Sequence, residues 1–148
     1  MNDTTLSTKY LIFRVEKQIF AVLLDDIVEV IEPMNTSPIP DSPGHCIGMM
    51  NLRGDIMTVY DLRSILGHPQ TTTPNMFKLV VERAGERCAF LVDEMVEVTS
   101  FNKEEIDTET LINSRLPKES FIGIANHRDS IVYIIELKEL INFTRRAV

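Results

Sequence analysis

The chain has 148 residues, 44% of them apolar and 25% charged, an ordinary composition for a folded globular protein. Its 22 acidic residues outnumber its 15 basic ones, and a formal charge of −7 disfavours nucleic acid as a partner, because phosphate recognition calls for a basic excess. Two cysteines, Cys46 and Cys88, lie far apart and outside any CxxC spacing, which fits buried thiols in a reducing compartment better than a disulfide or zinc framework.

Met1 to Lys9 is polar and lacks the apolar stretch of a secretory signal. No apolar run approaches the ~20 residues of a membrane helix, so a cytoplasmic protein without membrane insertion is expected. Tyr10–Val15 and Ile19–Leu24, rich in β-branched and aromatic residues, read as strands around the polar turn Glu16-Lys17-Gln18. The segment AVLLDDIVEV follows at 21–30, and Asp25, Asp26 and Glu29 within it read as solvated turn residues. Pro33, Pro38, Pro40 and Pro43 keep the next connector extended. Gly54 permits the positive φ of a tight hairpin turn ahead of a strand over Asp55–Tyr60. Asp61 can cap a short helix through Leu66 that Gly67 stops, and Thr71-Thr72-Thr73-Pro74 reads as a linker. Beyond it, Phe77–Glu82 and Arg87–Val92 form a second strand pair around Ala84-Gly85-Glu86. Asn102 and Glu105 carry a capping-box signature in the following connector. Ser130–Ile135 is a further strand, and Glu136–Ile141 a short helix ending before Asn142. The Arg145-Arg146 pair suits a solvated helix end.

The chain repeats itself. CIGMMNLRGDIMTVYDLRSIL at 46–66 aligns without a gap on FIGIANHRDSIVYIIELKELI at 121–141, an offset of 75 residues. Ile47, Gly48, Asn51, Arg53, Ile56 and Leu62 meet identical residues there. Upstream, AVLLDDIVEV at 21–30 aligns on AFLVDEMVEV at 89–98 with an offset of 68. Two ordered matches indicate a duplicated unit, with approximate halves at 10–70 and 75–142 and with exchange of strands between the two barrels left open. Many short strands with little room for helix favour two small barrels.

Residues equipped for catalysis are scattered. His45, His68 and His127 form no metal-ligand spacing, and the six glycines build no phosphate loop, so no metal, no cofactor and no catalytic residue is assigned. Met49, Met50 and Met57 divide by alternation between a binding surface and the core. Arg53, at the hairpin turn, either ties the two units together or meets a partner with its guanidinium fork. A rival reading, a small-molecule-binding or hydrolytic β-barrel, needs Asp25, Asp26 and Glu29 to converge in a concave pocket. An adaptor instead needs the acidic side chains splayed into solvent around an apolar patch.

The run Gly48-Met49-Met50-Asn51-Leu52-Arg53-Gly54-Asp55-Ile56, ending in Tyr60-Asp61-Leu62 and Leu66-Gly67, resembles the signature G-v-x-N-L-R-G-x-i…v-v-D-L…l-G of CheW-like domains. YLIFRVEKQIFAVLLDDIVEVI, FLVDEMVEV and FIGIANHRDSIVYIIELKELI look like the family's other motifs, in the expected order over about residues 10–142. The resemblance implies one CheW-like domain over 1–148, built of two five-stranded SH3-like β-barrels with a few short helices. It also implies a non-enzymatic scaffold that couples methyl-accepting chemoreceptors to the histidine kinase CheA, or an adaptor of a type IV pilus or similar pathway. Receptor-facing positions would be Glu29, Gly48, Asn51 and Arg53, near the groove between the barrels. Kinase-facing positions would be Leu11, Leu24, Ile27 and Met95 on the first barrel, rimmed by Asp25, Asp26 and Asp93. Two departures stand out: Asn126-His127-Arg128-Asp129 replaces the NLRG motif in the second half, and the connector 108–120 carries no family landmark.

Overall fold

The computed structural model describes residues 8–33, 45–69 and 76–146. Pro38, Pro40, Pro43 and the 71–74 linker lie outside the described residues. The first half contributes β1 (Thr8–Val15), β2 (Gln18–Leu23), β3 (Ile27–Ile31), β4 (Cys46–Leu52), β5 (Asp55–Asp61) and α1 (Leu62–Ile65). The second contributes β6 (Phe77–Arg83), β7 (Glu86–Val92), β8 (Glu94–Phe101), β9 (Phe121–His127), β10 (Ser130–Ile135) and α2 (Leu137–Arg146).

These strands form two five-stranded sheets, ordered β8-β1-β2-β10-β9 and β3-β6-β7-β5-β4. Exchanging each strand for its repeat partner converts one order into the other. Smaller details obey the same offset: the Asp61 N–H donates to the His45 carbonyl, and the Glu136 N–H to the Ser120 carbonyl, each at 2.8 Å. Each sheet takes a hairpin from one half and three strands from the other.

The central hairpins are buried on both faces, which is why their sequences lack a polar alternation. Leu11, Phe13 and Val15 of β1 join Phe20, Val22, Leu79, Val81 and Phe90 in a core shared between the sheets. Tyr10 and Ile12 point the other way, with Val132 and Ile134, into the first sheet's own interior. Val80, Ala89 and Leu91 do the same in the second sheet, against Met57 and Val59. Each sheet thus curls round a private core and lays its hairpin on a common one.

The fold is mainly β, as expected, but the sheets are not closed barrels. Among the described residues no ladder joins β8 to β9 or β3 to β4. The first sheet's gap is bridged instead by the connector after β8, where Asp107 and Ile124 exchange backbone hydrogen bonds of 2.8 and 2.9 Å. Gly123 accommodates that crossing, since a Cβ there would run into the Asp107 carbonyl oxygen. In the same connector the Glu105 carboxylate accepts from the Asn102 N–H at 2.8 Å, around a 3₁₀ turn over Lys103–Glu105. The Asp61 carboxylate caps α1 at the Arg63 N–H. The second helix differs from expectation, running through Asn142 to Arg146.

Candidate protein-interaction site

The NLRG segment forms the β4–β5 turn. Leu52 pairs with Asp55, leaving Arg53 and Gly54 as a two-residue loop with φ of 53° and 88°. Positive φ at both central residues is the geometry that matches the twist of a two-stranded hairpin. From this turn Arg53 Nη1 reaches Glu29 Oε1 on β3 at 2.7 Å. Because β3 and β4 are opposite edges of one sheet, the pair clasps that sheet where hydrogen bonding does not. Arg53 therefore ties a sheet to itself and not one unit to the other. Its side chain remains 72% exposed, so the pair adds little to stability. The hydrogen bond to Glu29 raises the Arg53 guanidinium above its ordinary value.

Two large apolar side chains are exposed on the same hairpin. Met49 and Ile56 are 65% and 64% exposed, and cross-strand pairing puts them on one face with Asn51 and Thr58. Met57 is buried and Met50 packs on the core, the division that alternation predicts. Gly48 lies at a register irregularity with φ of 156°, and nothing stands within 4 Å of where a Cβ would be. Glu29 also lines a groove with Val30, Glu32, Phe77 and Met95. That groove runs between β3 and β6 of one sheet and β8 of the other. The structure thus brings Glu29 and Arg53 into contact, places Asn51 and Gly48 on the same hairpin, and adds Met95 to the groove.

The repeat supplies a second clasp that sequence reasoning did not single out. Arg128, with φ of 50°, extends Nε to Glu97 Oε2 at 2.7 Å, and His127 Nε2 lies 2.7 Å from the same oxygen. Glu97 follows Glu29 by 68 residues and Arg128 follows Arg53 by 75, so the two offsets together contained the signal.

A profile described as the CheW-like domain matches residues 9–143. The chain belongs to the CheW-like domain family. It is 27% identical to the chemotaxis protein CheW of Thermotoga maritima over 140 residues, covering 94% of this chain and 91% of that one. Against the chemotaxis protein CheW of Helicobacter pylori it is 25% identical over 125 residues, 82% of this chain and 74% of the other. The crystal structure of scaffolding protein TtCheW from Thermoanaerobacter tengcongensis superimposes with a TM-score of 0.75 at 24% identity, covering 93% and 89% of the two chains. The family is one of chemotaxis scaffolds, and the chain shares the fold of that solved structure.

Within a CheW-like domain the remaining expected positions divide sharply. Leu24, Ile27 and Met95 are half-buried and pack against the shared core from its margin. Leu11 does not reach the surface: it is 7% exposed, because β1 is a central strand whose odd-numbered face lies between the sheets.

The acidic rim is also corrected. Asp25 is exposed, but Asp26 is 5% exposed and accepts from Arg83 at 3.2 Å. Asp93 is nearly enclosed by Arg63 and the Glu16 N–H. A buried carboxylate needs such partners to remain charged. Asp26 and Glu29 are committed to different arginines, so the convergent acid cluster required by a hydrolytic barrel does not form. Among the described residues no His, Cys, Asp and Glu grouping suited to a metal ion occurs, and no helix is long and apolar enough to cross a membrane. Burial pushes the Cys88 thiol up to about 12, an inert thiol rather than a nucleophile.

Proposed function

We propose that this chain is a non-enzymatic adaptor that couples the cytoplasmic tip of methyl-accepting chemoreceptors to the regulatory domain of a CheA-type histidine kinase. It works in the cytoplasm, recruited to membrane-associated receptor arrays without inserting into the bilayer. The Arg53–Glu29 clasp carries the reading. An exposed ion pair has little to do for stability, yet this one is made by a left-handed turn arginine on the hairpin that exposes Met49 and Ile56, beside a groove that mixes apolar side chains with Glu29 and Glu32. A charged anchor among exposed apolar side chains is the composition of a protein-binding surface. Glu29, Gly48 and Arg53 form the receptor-facing part, with Asn51 in their turn. Leu24, Ile27 and Met95 form the kinase-facing part, and Leu11 supports them from beneath.

Arg53→Glu tests this directly. The variant should remain folded and lose about tenfold or more in affinity for a receptor-tip fragment, with a matching loss of kinase activation in reconstituted arrays. Full activation by a folded Arg53→Glu protein would overturn the receptor-facing assignment.

A further inference from the structure

We propose that Asn51 is a positioning residue of the receptor-facing site, which braces the turn that presents Arg53 and makes no contact with the partner itself. The proposal rests on the receptor-facing reading of Arg53 given above.

Three observations carry it. The Asn51 Oδ1 accepts a hydrogen bond from the Gly54 N–H at 2.7 Å, so its carboxamide oxygen is engaged within the turn. An asparagine oxygen that folds back onto the backbone in this way substitutes for a main-chain acceptor and stiffens the loop. The residue enclosed by that bond is Arg53, whose φ of 53° is a conformation that residues with side chains seldom adopt. The hairpin twist already favours positive φ here, and the carboxamide bond narrows the positions from which the guanidinium leaves the turn towards Glu29.

The second repeat carries the same spacing. There too an asparagine, Asn126, stands two residues before a left-handed arginine, Arg128, which reaches a glutamate on the opposite edge strand. Leu52 is replaced by His127 and Gly54 by Asp129, yet the Asn-x-Arg spacing and the clasp survive. The Asn-x-Arg spacing thus recurs with the clasp where the NLRG motif is broken, while the carboxamide bond to the turn belongs to the first repeat.

The two roles use opposite ends of the carboxamide, which makes them separable. Asn51→Asp keeps the acceptor oxygen and removes the NH₂ group; Asn51→Ala removes both. The full chain is titrated with a receptor-tip fragment, and amide exchange at Gly54 is followed in the same proteins. A positioning role predicts that Asn51→Asp binds within about twofold of the native chain with Gly54 protected, and that Asn51→Ala loses about fivefold or more with Gly54 unprotected. An Asn51→Asp protein that binds as weakly as Asn51→Ala while Gly54 stays protected would overturn the proposal in favour of direct contact. Native affinity in Asn51→Ala would overturn it as well. Arg53→Ala is the control on the underlying reading: native affinity there removes the receptor-facing site altogether, whereas a loss at Arg53 with none at Asn51 removes the brace alone.

Discussion

Glu97 shows how one residue can fasten an edge that no ladder closes. Its carboxyl is held down from 4.5 to about 2 by hydrogen bonds from Arg128 first and His127 second. A value lower in the folded than in the unfolded chain means that the ionised form favours folding. The contribution is therefore complete above about pH 4.5 and is lost as the pH falls towards 2. Glu97→Gln removes the titrating group, so the fall in denaturant midpoint between pH 5 and 2 should be shallower than in the native chain. Parallel pH profiles for the two proteins would show that the clasp does not fasten the sheet. The residue was legible only in part. Repeat offsets place Glu97 opposite Glu29 and Arg128 opposite Arg53, but offsets say nothing about which side chains meet. Asp26 and Asp93 were harder still: a carboxylate beside a strand end reads as solvated until the arginine that pairs with it, Arg83 or Arg63, is brought in from far along the chain.

At the scale of elements, the two helices show how a single substitution resets a boundary. Gly67, at φ of 96°, ends α1 with Gly67 N–H bonded to the Ser64 carbonyl and His68 N–H to that of Arg63. Seventy-five residues on, Asn142 stands in its place, and α2 continues because Leu137, Leu140, Ile141 and Thr144 repeat on the buried face of a 3.6-residue period. Reading Asn142 as a stop ignored that Asn142 falls on the other side of the helix. Short as α1 is, it joins the two sheets. Arg63 contacts Asp93, where β7 passes into β8, and lies 2.9 Å from Glu16 in the β1–β2 turn. Arg63→Met should lower stability by about 1–3 kcal/mol, since it leaves a buried carboxylate without its cation. The loss should shrink when Asp93→Asn is added. Additive losses in that cycle, measured by denaturant unfolding, would show that the arginine does not act through Asp93.

Over the whole molecule, the halves of the sequence and the sheets of the fold are different divisions. The repeat was visible in the chain because offsets are local, and the strands because apolar and β-branched residues mark them. Exchange was open from the sequence but which strands exchange was not legible, because pairing between β1 and β8, or β3 and β6, joins segments whose sequences carry no record of one another. This arrangement has a direct consequence for folding. A chain ending near Pro69 would hold β1 and β2 without β8, β9 and β10, and would hold β3, β4 and β5 without β6 and β7. Phe13 and Phe20 would then lack Leu79, Val81 and Phe90 across the shared core, and two isolated pieces of sheet are marginal in water. Fragments 1–72 and 73–148 should therefore each lack a cooperative unfolding transition, and mixing them should restore one together with the near-ultraviolet signal of the packed aromatics. Independent folding of either fragment, with dispersed amide resonances in the absence of the other, would mean that each repeat can close its own core. The duplication would then describe two autonomous domains instead of one fold assembled by exchange.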